Sequence, residues 1–266
     1  MPVLESVINI SEGRDLDLIA AIGRSAGSGL LDIHTDAHHH RSVITVAGVH
    51  AARAVAAAAL SALDLRNHVG AHPRIGVLDV VPFVPLGSST MAEAESARDE
   101  MGEWLASNFA VPVFLYGEQR SLPDVRRGAF GLLTPDFGPH AAHVSAGACA
   151  VGCRPLLVAY NVWLEDATAT DAKRIAASIR RPGLRTLGLQ VGTGVQVSMN
   201  LIDPMVVRPD HAYDLVAAEA TVQRAEMVGL VPAAVLQAID PARWHDLDLD
   251  PTRTIEYRLR RAGLSA

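Results

Sequence analysis

Two histidines, an arginine and two glycines fall within ten residues of this chain, Asn67-His-Val-Gly-Ala-His-Pro-Arg-Ile-Gly76, and an apolar run, Val77-Leu-Asp-Val-Val-Pro-Phe-Val-Pro-Leu86, follows at once. An imidazole takes or gives a proton near neutral pH, and a guanidinium offers a planar fork to a carboxylate. Pro73 pushes His72 toward extended geometry, and Gly70 and Gly76 permit close backbone approaches that a Cβ would block. The loop therefore presents His72 as a candidate acid–base group and Arg74 as a candidate carboxylate ligand, chemistry that suits an amino-acid-like substrate. The structural alternative is that His68 and His72 cap the preceding helix or hydrogen-bond the loop.

The elements that must hold this loop are legible in the periodicity. Residues 3–10 read as a strand, 15–26 as a helix, 29–35 and 42–49 as strands, and 51–65 as a helix. After the loop come a strand over 77–84, a helix over about 90–108 and a strand over 111–116. From Pro155 the pattern restarts. A strand over 156–164 and a helix over 170–180 are followed by a hairpin, 185–191 with 195–201, turned at Gly192-Thr-Gly194. A helix over about 210–227 and a short one over 232–239 complete it. Alternating strands and helices predict sheets covered by helices, and the β-α-β-β-α order of the second half predicts a ferredoxin-like unit. Residues 132–154, rich in Gly, Pro, Ser and Ala without a period, read as a bridge between the halves. Crevices between domains are common ligand sites.

At 266 residues, with 49% hydrophobic and 20% charged residues, two modest domains with packed cores are expected. A net charge of −6 without basic clusters argues against a nucleic-acid partner. No apolar stretch approaches the roughly 20 residues of a membrane helix, and the first residues lack a signal-peptide pattern. A cytoplasmic protein is expected, without membrane or nucleic-acid partners.

Metal sites are weakly signalled. Cys149 and Cys153 are the only cysteines, too sparse for a zinc site or a disulfide framework, and read as buried small apolar residues despite His140 and His143 nearby. His38-His39-His40 invites a metal, but neighbouring strand residues point to opposite faces, so a solvated turn with one functional member is the expectation. Asp246, Asp248 and Asp250 read as a solvated turn before a terminal helix. No metal is expected.

Beyond these patterns, the loop resembles the His-x-Gly-x-His-Pro-Arg-x-Gly segment of the glutamate formiminotransferase family, with that family's Leu-Asp-Val-x-Pro-Phe-x-Pro strand after it. Val7-Ile-Asn-Ile-Ser-Glu-Gly-Arg14, Val111-Pro-Val-Phe-Leu-Tyr-Gly-Glu118, Pro135-Asp-Phe-Gly-Pro139, Leu157-Val-Ala-Tyr-Asn161, Gln196-Val-Ser-Met-Asn-Leu-Ile-Asp203 and Val228-Gly-Leu-Val-Pro232 have counterparts in the same order. The resemblance implies an α+β fold (an α/β sandwich) of two subdomains, 1–153 and 154–266. Each is a sheet covered by helices, and folate lies in a crevice between them. It implies transfer of a formimino group from N-formimino-L-glutamate to N5 of tetrahydrofolate, with His72 catalytic and Arg74 and Arg41 on the glutamate carboxylates. Asn9 and Glu12 would shape the floor of the site. The stretch Gly138, Pro139, His140, His143, Ser145 and Gly147 would contact folate. The family leads one to expect a homodimer in histidine degradation and one-carbon metabolism.

Two departures accompany the resemblance. A Pro-Ser-Trp of the family reads Val144-Ser145-Ala146 here, which removes a stacking surface worth about 0.5–1.5 kcal/mol. The family carboxylate near the loop histidine is replaced by His34, so Asp32 or Asp36 would have to orient His72. A formyl donor exchanging between 5-formyltetrahydrofolate and glutamate would suit the same residues, and so would a noncatalytic homologue that binds folate or a small acidic metabolite. No segment resembles the cyclodeaminase to which the animal transferases are fused, so a separate protein would release ammonia from the product.

Overall fold

The computed structural model describes residues 3–70 and 74–265. Contacts divide the chain into two compact units, one running up to Pro155 and joined by the segment from Ala262 onward, the other Leu156–Arg261.

The first unit carries β1 (Val3–Ile10), α1 (Leu16–Arg24), β2 (Leu30–Asp36), β3 (Arg41–Ala47), α2 (Val49–Ala62), β4 (Leu78–Leu86), α3 (Met91–Phe109), β5 (Val113–Tyr116), α4 (Leu122–Gly128) and β6 (Cys149–Cys153). Six strands form one sheet in the order β2-β3-β1-β4-β6-β5. The first four run antiparallel to their neighbours, whereas β4, β6 and β5 are parallel. Strand alternation sends Ile8, Ile10, Ile44, Val46, Val81, Phe83 and Val151 into a core shared with α1, α2 and α3. Each fully buried aliphatic side chain stabilises by about 1.5–3 kcal/mol relative to exposure. On the opposite face, Val80, Phe114, Tyr116 and Ala150 pack with Val125 of α4 in a smaller cluster.

This topology gathers chain ends. In register, Ile10 pairs with Ser42 and Leu78, Asp36 with Arg41, Val80 with Ala150 and Val113 with Cys149. The C-terminal ends of β1 and β2 and the N-terminal ends of β3, β4, β6 and β5 therefore share one end of the sheet. One irregularity interrupts the ladder. Asn9 pairs with Val80 but Ile10 with Leu78, so Asp79 is an extra residue in β4, a β-bulge.

The second unit carries β7 (Val158–Leu164), α5 (Ala169–Ser178), β8 (Leu184–Val191), β9 (Gly194–Leu201), α6 (Pro209–Ala217), β10 (Val222–Val228), α7 (Ala233–Gln237) and α8 (Ile255–Arg261). Its strands lie in the order β10-β7-β9-β8, all antiparallel, around Val158, Tyr160, Val162, Val197 and Leu201. With α5 and α6 as the two crossover helices, this is the ferredoxin-like arrangement. The α+β fold of two helix-covered sheets is thus the observed one.

Three sequence expectations are corrected. The helix expected to run to Met227 stops at Ala217, and Val222–Val228 is an edge strand on β7. No Gly or Pro separates the two elements, so nothing local marks the break; pairing with β7 decides it. The stretch expected to bridge the halves belongs to the first unit, where Cys149–Cys153 is a buried strand between β4 and β5. Five residues are too few to display a period. Around the terminal acids, Asp248 is not simply solvated, because its carboxylate accepts the Met227 N–H at 2.7 Å and pairs with Arg253 at 3.0 Å.

Among the described residues no helix is long and apolar enough to cross a membrane. Both thiols are free and buried, and burial pushes each above its ordinary pKa. The expected outcome with a thiol-reactive disulfide reagent at pH 8 is negligible labelling of the folded protein and two equivalents after denaturation; rapid labelling of Cys149 in the native state would contradict a central β6.

Candidate functional site

The shared end of the first sheet is built around backbone hydrogen bonds. Glu12 Oε1 accepts three successive N–H groups, those of Gly13 at 2.8 Å, Arg14 at 2.7 Å and Asp15 at 3.1 Å, and lies 3.4 Å from His40 Nδ1. Partial burial works against ionisation, but these donors and His40 together hold the Glu12 carboxyl below its ordinary range. Gly13 is required here: a Cβ would come within 2.3 Å of the Asp36 carbonyl oxygen and 2.5 Å of the Arg41 nitrogen.

The three consecutive histidines form a turn rather than a ligand set. His40, with φ of 51°, accepts the Gly13 N–H on Nδ1 at 3.0 Å, which leaves its proton on Nε2. His39 Nδ1 lies 2.8 Å from Asp36 Oδ2, while Asp36 Oδ1 accepts the N–H groups of His38 and His39 at 2.8 Å each. Despite the opposing effect of burial, these contacts hold the Asp36 carboxyl far below its ordinary range. Among the described residues no group of three or more His, Cys, Asp and Glu side chains is arranged to hold a metal ion.

His68 links this turn to the motif loop. Its ring stacks on His40 with centroids 4.1 Å apart, Nε2 lies 3.0 Å from the His40 carbonyl oxygen, and Nδ1 is in contact with the Arg74 guanidinium. A neutral His68 that donates from Nε2 and accepts on Nδ1 satisfies both bonds. Burial comes first in lowering the pKa of both imidazoles, with neighbouring cations adding to it. The loop histidine His68 is thus structural. His72 lies outside the described residues.

The remaining candidates fall into two groups. Asn9, His34, Asp36 and Arg41 alternate onto the sheet face opposite α1, α2 and α3. His34 and Asn9 lie in one cross-strand row on either side of Val43, and Asp36 pairs with Arg41. The stretch expected to touch folate divides. His143 and Gly147 exchange both backbone hydrogen bonds, at 2.8 and 2.9 Å, and close a turn. This turn docks on the motif loop: the Ser145 carbonyl accepts the Leu65 N–H at 2.7 Å, that of Ala146 accepts the Val77 N–H at 3.0 Å, and Gly147 forms a bridge with Gly76. A Cβ on Gly76 would come within 2.0 Å of the Ala148 oxygen. Val144 stands 78% exposed at the tip. Gly138, with φ of 84°, instead sits against Val111 and Ala106 beside the end of α3.

Sequence reasoning missed the centre of the site. Asp79, 1% exposed, accepts the Ile75 N–H on Oδ1 at 2.7 Å and pairs with Arg126 of α4, whose Nη2 lies 2.6 Å from Oδ2. Arg41 and Arg74 also interact electrostatically with Asp79. Burial lowers both guanidinium pKa values and Asp79 opposes it, yet each stays cationic at neutral pH. Arg41, Arg74 and Arg126 around Asp79 place planar donor forks at the sheet end, beside the ionised carboxylates of Glu12 and Asp36, and such forks suit carboxylate ligands. The available signal was a lone acid inside an apolar strand run; Arg126 had none.

Residues 3–154 match the N-terminal subdomain of the formiminotransferase domain. The chain belongs to the formiminotransferase family. It is 34% identical to a glutamate formimidoyltransferase of Thermoplasma acidophilum over 92% of both chains. It is 32% identical to the glutamate formimidoyltransferase of Streptococcus pyogenes serotype M1, over 91% of this chain and 93% of that one. A formimidoyltransferase-cyclodeaminase of Gallus gallus is 35% identical over 90% of this chain but 52% of its own length, so this family member spans about half of that protein.

The buried His40 and half-buried His68 imidazoles make stability pH-dependent. His40 and His68 titrate below the ordinary value of 6.5 in the folded state. As pH falls, the unfolded chain takes up protons first, so the stability of the neutral pair is fully present above about pH 6.5 and is lost below it. Melting curves should show Tm falling from pH 7.5 to pH 5.5. His40→Asn, whose side chain tolerates a left-handed backbone, should flatten that dependence; an unaltered slope would place the titration elsewhere.

Proposed function

We propose that this chain is a glutamate formimidoyltransferase that moves the formimino group of N-formimino-L-glutamate to N5 of tetrahydrofolate, its co-substrate. One observation carries the proposal: Arg41, Arg74 and Glu12 gather at one sheet end, in a chain 34% identical over 92% of its length to a transferase of that name. Arg74 and Arg41 bind the glutamate carboxylates, where planar forks suit carboxylate geometry. Glu12 serves the backbone, so its part is to fix the turn that presents Arg41.

The chemistry needs one proton carrier. N5 attacks the formimino carbon, a tetrahedral intermediate forms, and the bond from that carbon to the glutamate nitrogen breaks. His72 accepts the proton lost from N5 and returns it to the departing nitrogen, giving L-glutamate and 5-formiminotetrahydrofolate with charge and protons balanced. A single imidazole that acts first as base and then as acid contributes roughly 10²–10⁴-fold. The turn from His143 to Gly147, docked on the loop, supplies folate contacts through Ser145 and its exposed tip. We extend the proposal to a cytoplasmic homodimer serving histidine degradation and one-carbon metabolism.

The decisive assay is tetrahydrofolate-dependent release of glutamate from N-formimino-L-glutamate. Wild type should turn over, and His72→Ala should lose about 10²–10⁴-fold in kcat while retaining its fold. Turnover of N-formyl-L-glutamate alone would transfer the proposal to formyl exchange, and folate binding without either turnover would make the chain a binding homologue.

A further inference from the structure

Asp79 and Arg126 lie outside every role assigned so far, yet their contacts converge on the motif loop. Asp79 is the bulged residue of β4, and the bulge directs its carboxylate out of the ladder's alternation. Its Oδ1 accepts the N–H of Ile75, the residue that follows Arg74, and its two oxygens meet Arg126 Nη2 at 2.6 Å and Nη1 at 3.4 Å. Arg126 is set by α4, whose neighbouring Val125 is fully buried against Phe114 and Tyr116. A capping box between Ser121 and Asp124 starts that helix. The line of contact therefore runs from α4 through Arg126 and Asp79 to the backbone beside Arg74.

We propose that Asp79 and Arg126 are positioning residues: the pair fixes the backbone after Arg74 and thereby aims the Arg74 guanidinium at the acidic donor substrate, without itself touching that substrate. This rests on the transferase reading of the site. Both partners are needed. Arg126 holds the buried carboxylate in the orientation that accepts the Ile75 N–H, and Asp79 separates the mutually repelling guanidiniums of Arg126, Arg74 and Arg41. The Arg126 fork matters more than its charge, because two donors in a plane set the carboxylate's rotation while a lysine ammonium does not.

The test compares wild type, Arg126→Ala, Arg126→Lys and Asp79→Asn by steady-state kinetics and by amide hydrogen exchange at Ile75. Expected are a tenfold or greater rise in KM for N-formimino-L-glutamate in Arg126→Ala, a smaller change in kcat, an unchanged KM for tetrahydrofolate, and only partial recovery in Arg126→Lys. In Asp79→Asn the Ile75 amide should exchange at least tenfold faster than in wild type while exchange in β1 and β3 stays the same. An unchanged donor KM with a lowered Tm would reduce the pair to a structural role and overturn the proposal, and so would an unchanged Ile75 exchange rate. Wild-type protein without any turnover would sink the transferase reading, and the exchange comparison would then decide the positioning role by itself.

Discussion

A carboxylate with 1% of its surface exposed is the constraint around which the first unit is arranged. An ionised group taken out of water costs several kcal/mol unless hydrogen bonds and an opposite charge replace the solvent. Asp79 meets that requirement with the Ile75 N–H and the Arg126 guanidinium. Each partner then imposes its own condition. Ile75 can donate only if the motif loop returns to the sheet at that height. Arg126 can reach only if α4 packs on the face that carries Val80, Phe114 and Ala150. A bulge in β4 reconciles the two with an unbroken ladder on either side.

Around this centre the polar groups fall into those that serve the backbone and the guanidiniums that share the Asp79 carboxylate. Glu12, Asp36, His40 and His68 spend their hydrogen-bonding capacity on N–H and C=O groups of the turns at the sheet end, where chain reversals leave backbone groups without ladder partners. The guanidiniums of Arg41 and Arg74 both interact with the buried Asp79 carboxylate, Arg41 with Asp36 as well, and Arg74 contacts His68.

Much of this is legible in the sequence. The alternating runs located β1, β4, α3 and the β8–β9 hairpin, because an amphipathic helix and a half-buried strand each write their period into the sequence. Gly70 and Gly76 were recognisable as points of close approach, and both meet neighbouring backbone where a Cβ would sit. Where elements are short or their ends carry no breaker, local signals fail: β6 has five residues and the α6 to β10 transition has neither Gly nor Pro. His34 and Asp36 lie on β2 as the strand pattern predicts, but that Asp36 is engaged by His39 follows from the turn alone.

The sequence by itself determined the family, the fold class and the chemical character of the motif loop, since these reside in residue types, their spacing and their order along the chain. Which histidines are structural, which carboxylate organises the arginines and which half of the 138–147 stretch meets the loop were decided only by tertiary structure. Asp79 and Arg126 are 47 residues apart in the chain, and His40 and His68 are 28 apart. A period of 2 or 3.6 residues carries no information over such distances; strand order and one bulged residue bring these groups together.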